Sequence, residues 1–166
     1  MKSSKDFFVV CDNIRSLENI GSIFRTADAT GVSKIFLCGI SGTPPRSGFS
    51  AWRKNLATLH PKIAKAALGA DQTIPFEYHA QTWRLIQKLK KEGVQIVALE
   101  QGRHAVDYRK FKPTFPLALI VGNEVKGISK KVLASADDII FLPMTGRKES
   151  LNVAVAFGIS AYNIKF

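Results

Sequence analysis

Apolar residues along this chain fall into short runs, and the stretches between them carry apolar residues at helical spacing. The runs at Phe7–Cys11, Lys34–Leu37, Ile74–Tyr78, Val94–Leu99, Leu117–Val121 and Ile139–Leu142 are β-branched or aromatic, and several are apolar on both faces. That pattern predicts strands covered on two sides. Between them, Asn19–Thr30, Pro61–Leu68, Thr82–Lys91, Ser129–Ser135 and Ser150–Ile164 predict helices. The alternation predicts an α/β sandwich built on a mostly parallel sheet. In the last helix Ala154, Gly158 and Ala161 form a narrow small-residue stripe, with Val155, Ile159 and Tyr162 beside it. A helix apolar on most sides is expected to be buried, here in part by a second chain. The stretch Ser41–Leu56 combines Gly42, Pro44, Pro45 and Gly48 with Arg46, Arg53 and Lys54, and reads as a long basic loop.

Size and composition narrow the class. A chain of 166 residues with 46% hydrophobic content fits one packed domain, residues 1–166, with no linker or repeat expected. Met1-Lys2-Ser3-Ser4-Lys5-Asp6 leads into an apolar run too short for a signal peptide, and no stretch approaches the ~18 residues of a membrane span. The expectation is a soluble, cytoplasmic protein with no membrane partner. Cys11 and Cys38 stand far apart in strand-like segments and read as small buried thiols. His60, His79 and His104 are scattered without ligand spacing, so neither a disulfide framework nor a metal site is expected. Charge adds more: 24 Lys+Arg against 13 Asp+Glu leave a net charge of +11, which favours a polyanionic partner. Because Arg25, Lys126, Arg147 and Lys148 lie close to the polar clusters described next, the favoured partner is nucleic acid. Charge does not separate RNA from DNA.

Three polar clusters sit at element ends. In Asn13–Asp28, about 100° per residue puts Ile20, Ile23, Phe24 and Ala27 on one helix face and Arg25 nearly opposite. Asn19 stands where a side chain can cap free backbone donors. In Leu117–Ser129 an apolar strand runs into a loop holding Gly122, Asn123, Glu124 and Gly127, after which Ser129 can cap a helix. Ligands of open α/β sheets bind beyond the carboxyl ends of strands, where Asn123 and Glu124 lie. In Ile139–Ala154 another strand ends in a turn with Arg147 and Lys148, and a long helix is expected from Ser150. An ordinary polar turn, a plain cap or a solvated charge would explain each cluster alone. There is no Gly-x-x-x-x-Gly-Lys-[Ser/Thr] loop and no Gly-x-Gly-x-x-Gly after a strand, which disfavours an NTPase or a dehydrogenase.

Taken together, Asn19-Ile20-Gly21-Ser22-Ile23-Phe24-Arg25, Val121-Gly122-Asn123-Glu124-Val125-Lys126-Gly127-Ile128-Ser129 and Glu149-Ser150-Leu151-Asn152-Val153-Ala154-Val155-Ala156 resemble the three signature motifs of SpoU-family RNA ribose methyltransferases. They occur in the same order, and the resemblance covers essentially the whole chain; against the larger members of that family, no separate amino-terminal RNA-binding domain is expected. It implies a SPOUT-type sandwich with a carboxyl-terminal trefoil knot, a homodimer, and 2'-O-methylation of a ribose in structured RNA (tRNA or rRNA) from S-adenosylmethionine. It also implies that Leu99, Glu100, Gln101, Val121, Gly122, Asn123, Phe141, Leu142, Pro143, Met144 and Leu151 hold the cofactor. By the same resemblance Arg25 acts on the 2'-hydroxyl, Asn19 and Glu124 position it or its ligands, and Ser150 and Asn152 fix the third loop. Free guanidinium has a pKa above ~12, so Arg25 would serve as an unusual base or as an electrostatic stabiliser of the developing alkoxide. A catalytically silent RNA-binding or assembly factor on the same scaffold accounts for the charge and fold equally well. The presence of all five polar side chains weighs against it.

Overall fold

Seven strands form one sheet, whose central members carry apolar side chains on both faces. They are β1 (Phe7–Asp12), β2 (Lys34–Cys38), β3 (Phe76–His79), β4 (Gln95–Leu99), β5 (Val106–Asp107), β6 (Leu117–Gly122) and β7 (Asp138–Phe141). The spatial order is β3-β2-β1-β6-β4-β7-β5 and every pairing is parallel. The computed structural model describes residues 5–44 and 61–166. At the centre, β1 pairs with β6 from Phe7↔Leu117 to Asp12↔Gly122, and all six β1 residues are buried.

Alternation along β1 splits the core into two layers. Phe7, Val9 and Cys11 face α1 (Leu17–Ala29), α2 (Pro61–Ala67), α3 (Ala70–Thr73) and α6 (Val153–Lys165), packing with Ile23, Phe24, Ile63, Phe157 and Ile164. Phe8 and Val10 face α4 (Thr82–Lys91) and α5 (Lys130–Leu133), packing with Leu85, Ile86, Leu89 and Val132. The α/β sandwich expected from the pattern is the one observed. Cys11 and Cys38 are buried free thiols, as expected. Burial pushes Cys11 upward, and it pushes Cys38 up to about 12, so both stay protonated and inert at neutral pH.

Two helix starts differ from expectation. The first helix begins at Leu17, not at Asn19, and its cap is Ser16, whose hydroxyl accepts from the Asn19 N–H at 3.1 Å. The apolar period begins at Ile20, which drew the expected boundary too late; the half-buried Leu17 already belongs to the helix. The last helix begins at Val153, not at Ser150, because the Asn152 carboxamide accepts from Ala154 N and Val155 N and closes the first turn. Ser129 does cap α5, accepting from Val132 N. The third strand starts at Phe76 rather than Ile74, since the short α3 and Pro75 occupy the preceding positions. Of the long loop, Ser41–Pro44 lies inside the described residues, with Ser41 buried and donating to Cys11 O at 3.0 Å; Arg46, Arg53 and Lys54 lie outside them.

With every strand parallel, the segments leaving β1, β4, β6 and β7 all emerge at one edge of the sheet. In such folds that edge is where ligands bind.

Candidate active site

At that edge the three polar clusters meet, although Asn19 of the first lies more than a hundred residues before Glu124 and Asn152 of the other two. The Glu124 carboxylate accepts from the backbone N–H groups of Arg15 and Ser16, each at 3.0 Å, and from the Asn19 carboxamide at 3.1 Å. The Asn19 Oδ1 in turn accepts from Asn152 Nδ2 at 3.0 Å. A chain of three side chains, Glu124–Asn19–Asn152, thus ties the loop after β6 to the start of α1 and the start of α6. Partial burial acts to raise the Glu124 carboxyl, but the two N–H donors together with Asn19 outweigh it and hold the group below its ordinary range. Glu124 is therefore ionised at neutral pH and anchors the amino end of α1, where the helix dipole also favours an anion.

The loop after β6 is folded back on itself. Asn123 Oδ1 accepts from Val125 N at 3.0 Å and Lys126 N at 2.9 Å, while Asn123 Nδ2 donates to Asn13 O at 2.8 Å. Gly127 N donates to Asn123 O at 2.9 Å, and Gly127 itself has a φ of 65°, a conformation that favours glycine. A Cβ on Gly122 would lie 2.6 Å from the Gly127 carbonyl carbon and from Ile128 N, so only glycine permits this close return. From β4, Glu100 Oε2 accepts from Ile128 N at 2.9 Å and its Oε1 from Gln101 N at 2.9 Å; Gln101 Nε2 donates to Leu142 O at 2.9 Å. Three strand ends are stitched together in this way.

Between them lies a cavity of about 260 Å³. Leu99, Glu100 and Gln101 line it from β4, Val121, Gly122 and Asn123 from β6, Phe141, Leu142 and Met144 from β7, and Leu151 from the segment before α6. Ten of the eleven residues expected to hold a cofactor are on this wall, and Pro143 is not. Glu124, Ser150 and Asn152 also line it, and Asn19 is bonded to two of these three. Arg25 stands apart. It is exposed on α1, does not line the cavity, and has no hydrogen-bond or ion-pair partner among the described residues. Six residues of helix separate it from Asn19, a rise of roughly 9 Å. Val125, Gly127, Val153 and Ala156 line the cavity without having been expected there. Val125 and Gly127 lie inside the second motif, while Val153 follows Asn152 directly and Ala156 stands one turn beyond it, so a helix capped by Asn152 would have indicated both.

The wall is apolar with a few polar groups, as small-molecule sites are. Its charged members are two carboxylates, Glu100 and Glu124; no lysine or arginine lines it among the described residues. A site for a di- or triphosphate would need cationic or N–H-rich contacts to the phosphate oxygens. This one suits a phosphate-free, cation-bearing molecule with a flat apolar part.

Comparison with known proteins gives a consistent picture. Residues 6–162 match the model of the SpoU rRNA Methylase family. A putative TrmH family tRNA/rRNA methyltransferase from Bacillus subtilis, YacO, is 32% identical over 98% of this chain and 59% of its own length. A Staphylococcus haemolyticus protein of the same description is 33% identical over 94% of this chain and 57% of its length. The chain thus spans under three fifths of the length of these curated relatives. Among solved structures, a TrmH/SpoU tRNA modifying enzyme of A. aeolicus superposes with a TM-score of 0.78 at 31% identity, covering 98% of this chain and 75% of that one. An AdoMet-bound rRNA methyltransferase from Sinorhizobium meliloti gives 0.78 at 32% identity, covering 97% and 56%.

Proposed function

We propose that this chain, which belongs to the SpoU rRNA methylase family, transfers a methyl group from S-adenosylmethionine to a ribose 2'-hydroxyl of a structured RNA, tRNA or rRNA. The observation that carries this reading is the cavity at the ends of β4, β6 and β7, with two carboxylates, apolar walls and, among the described residues, no cationic side chain. S-adenosylmethionine has no phosphate, carries a sulfonium and an ammonium, and presents an adenine to apolar surface. Leu99, Phe141, Leu142 and Leu151 offer that surface, and the Gln101 carboxamide, whose Nε2 is held by Leu142 O, offers its oxygen as an acceptor. The S. meliloti neighbour, described as AdoMet-bound, supports the same choice. When bound, the cofactor supplies an electrophilic methyl group.

The protein's own share is to place and activate the hydroxyl. Ser150 and Asn152 stand at the cavity wall with Asn152 fixed by Asn19, so a ribose entering from this side meets oriented hydrogen-bonding groups. In this reading Arg25 binds the substrate phosphate beside the reacting nucleotide and stabilises the oxyanion, a role for which a permanent, unpaired cation is suited. Its distance from the cavity within one chain is met by a homodimer. Val155, Ile159 and Tyr162 on α6 and Phe166 just after it are 51%, 38%, 52% and 85% exposed, an apolar stripe adjoining α1 that a second copy would cover. In such a dimer Arg25 of one chain would complete the cavity of the other. The carboxyl-terminal trefoil knot belongs to the same reading: β7 is laid between β4 and β5, and α6 then returns to pack on α1. The described residues include no helix long and apolar enough to cross a membrane. The reading puts the protein in the cytoplasm with its RNA.

The test is Arg25→Ala, assayed for methyl transfer to RNA and for cofactor binding by calorimetry. Transfer is expected to fall by ~10²-fold or more, as loss of an oxyanion contact does, with cofactor affinity unchanged. Transfer at the wild-type rate would remove Arg25 from the mechanism. Wild-type protein that binds no S-adenosylmethionine would favour the silent RNA-binding factor instead.

A further inference from the structure

Outside the cavity, the most unusual grouping of charge lies on the opposite face of the sheet, where α4 meets α5. The α4 helix contains Arg84, Lys88, Lys90 and Lys91 and no acidic residue; α5 begins with Lys130 and Lys131. Among the described residues only Lys90 of this group is neutralised, by Asp137 at 2.6 Å; its ammonium also donates to Ser135 O at 3.1 Å. Arg84, Lys88, Lys91, Lys130 and Lys131 are exposed and have no acidic partner among the described residues. Arg84, Lys88 and Lys91 follow one another at i, i+4 and i+7, which puts them on a single stripe of the helix.

Trp83 stands at the centre of the grouping. The Lys131 ammonium lies 3.5 Å from its ring centroid and the Arg84 guanidinium carbon 5.3 Å. Two like charges thus lie against one aromatic ring, and neither has an acidic partner among the described residues. Helix stability does not explain the arrangement. Lysines in the last turn of α4 complement the helix dipole, but Arg84 lies in its first turn, where that dipole disfavours a cation. The ring holds both cations in place, and what would lower their mutual repulsion is a negative group shared between them.

The patch also opens on the right side of the molecule. Thr82, next to Trp83, donates to Asp12 Oδ1 at 2.5 Å, and Asp12 is the last residue of β1, in register with Gly122 on the cavity wall. Lys126, exposed in the turn after β6, stands in the chain between the cavity-lining residues and α5. Basic groups therefore run from the rim of the cavity over α5 to Trp83 and along α4.

We propose that this surface, Lys126, Lys130 and Lys131 with Trp83, Arg84 and Lys88, is the track on which the sugar–phosphate backbone of the RNA lies as a nucleotide enters the cavity. The proposal rests on the RNA methyltransferase reading and adds to it the face by which the RNA docks. Phosphates would sit between Arg84 and Lys131, and an unpaired base could stack where the Lys131 stem now covers the indole.

The experiment compares wild-type protein with the double variant Arg84→Glu/Lys131→Glu. The control, Lys65→Glu/Lys112→Glu, makes the same change of net charge on exposed residues elsewhere. Binding of labelled bulk tRNA is measured over a series of salt concentrations, with S-adenosylmethionine affinity and thermal melting followed in parallel. The patch variant is expected to bind tRNA at least ~10-fold more weakly near ~150 mM salt, with a shallower salt dependence by about two phosphate contacts. Its cofactor affinity and melting should match wild type, and the control should retain tRNA binding. Unchanged tRNA affinity in the patch variant, or an equal loss in the control, overturns the proposed track and leaves the methyltransferase reading standing. Wild-type protein that binds the cofactor but no tRNA at low salt also overturns it. Failure to bind the cofactor removes the methyltransferase reading itself. Lys131→Ala and Arg84→Ala singly, which avoid charge reversal, should each lower the salt slope by about one contact.

Discussion

A carboxylate that accepts from two successive backbone N–H groups and an amide has most of its lone pairs engaged before any substrate arrives. Glu124 is in that position, and its role in the site is to hold Asn19 and the start of α1 where the cavity needs them. Glu124→Gln keeps the shape but replaces charge-assisted contacts by weaker neutral ones, with a cost of about 1 kcal/mol at this half-exposed position. The pH dependence follows from the direction of its shift. The folded-state carboxyl lies below the unfolded value, near ~4.3 for glutamate, so the stabilisation is fully present above that value and is lost as pH falls through the lower folded one. Urea melts at pH 7 and near pH 3 check this: the gap between wild type and Glu124→Gln should narrow in acid. A gap of equal size at both would mean that the ionised carboxylate is not its source. Asn19 shows how residue chemistry can be legible while the role is not. Its type suits a helix cap and the local pattern agrees, yet Ser16 takes that place and Asn19 bridges Glu124 and Asn152 from 105 and 133 residues away. No local pattern encodes such partners.

Between elements, what decides is how closely backbones approach. A Cβ on Gly21 would lie 2.5 Å from Ile63 O and from Ala66 Cβ, so α1 and α2 can pack at this separation only with glycine there. Gly21→Ala should force the helices apart and cost about 1–3 kcal/mol, read as a lowered melting temperature. Gly158 in α6 gives the contrast, since its Cβ would meet only Thr26 Cγ2 at 3.7 Å, an ordinary contact. Gly158→Ala should be neutral or gain about 0.5–1 kcal/mol from helix propensity. If both changes behave alike, the packing argument fails. The principal strands and helices were legible because burial on two faces and helical periodicity each leave a long signal. The two-residue β5 and the four-residue α3 were not, since neither is long enough to repeat its pattern even once. The Trp83 grouping was missed for another reason: Lys131 reaches the ring from a different helix, 48 positions along the chain.

For the whole molecule, the apolar stripe on α6 predicts association. Val155→Glu/Ile159→Glu should leave secondary structure intact by circular dichroism, because both side chains are exposed in the single chain. By sedimentation it should shift the protein from dimer to monomer. In the proposed mechanism the monomer also loses methyl transfer, since each cavity would lack the partner's arginine, while cofactor binding persists. Wild-type protein sedimenting as a monomer would remove the dimer and with it the proposed route of Arg25 to the cavity.

The amino-acid order by itself determined the layered α/β class, the buried thiols, the strand ends where chemistry would lie, and the motifs that mark the family. These follow from local periodicity, burial tendency and side-chain type, which act over a few residues. Only the tertiary structure decided that Glu124, Asn19 and Asn152 form one chain of bonds, that ten of the eleven expected residues line the same cavity, and that Arg25 stands outside it. Those outcomes depend on which strand lies beside which. Sheet order is set by the packing of the whole core, and no segment of the chain carries it alone.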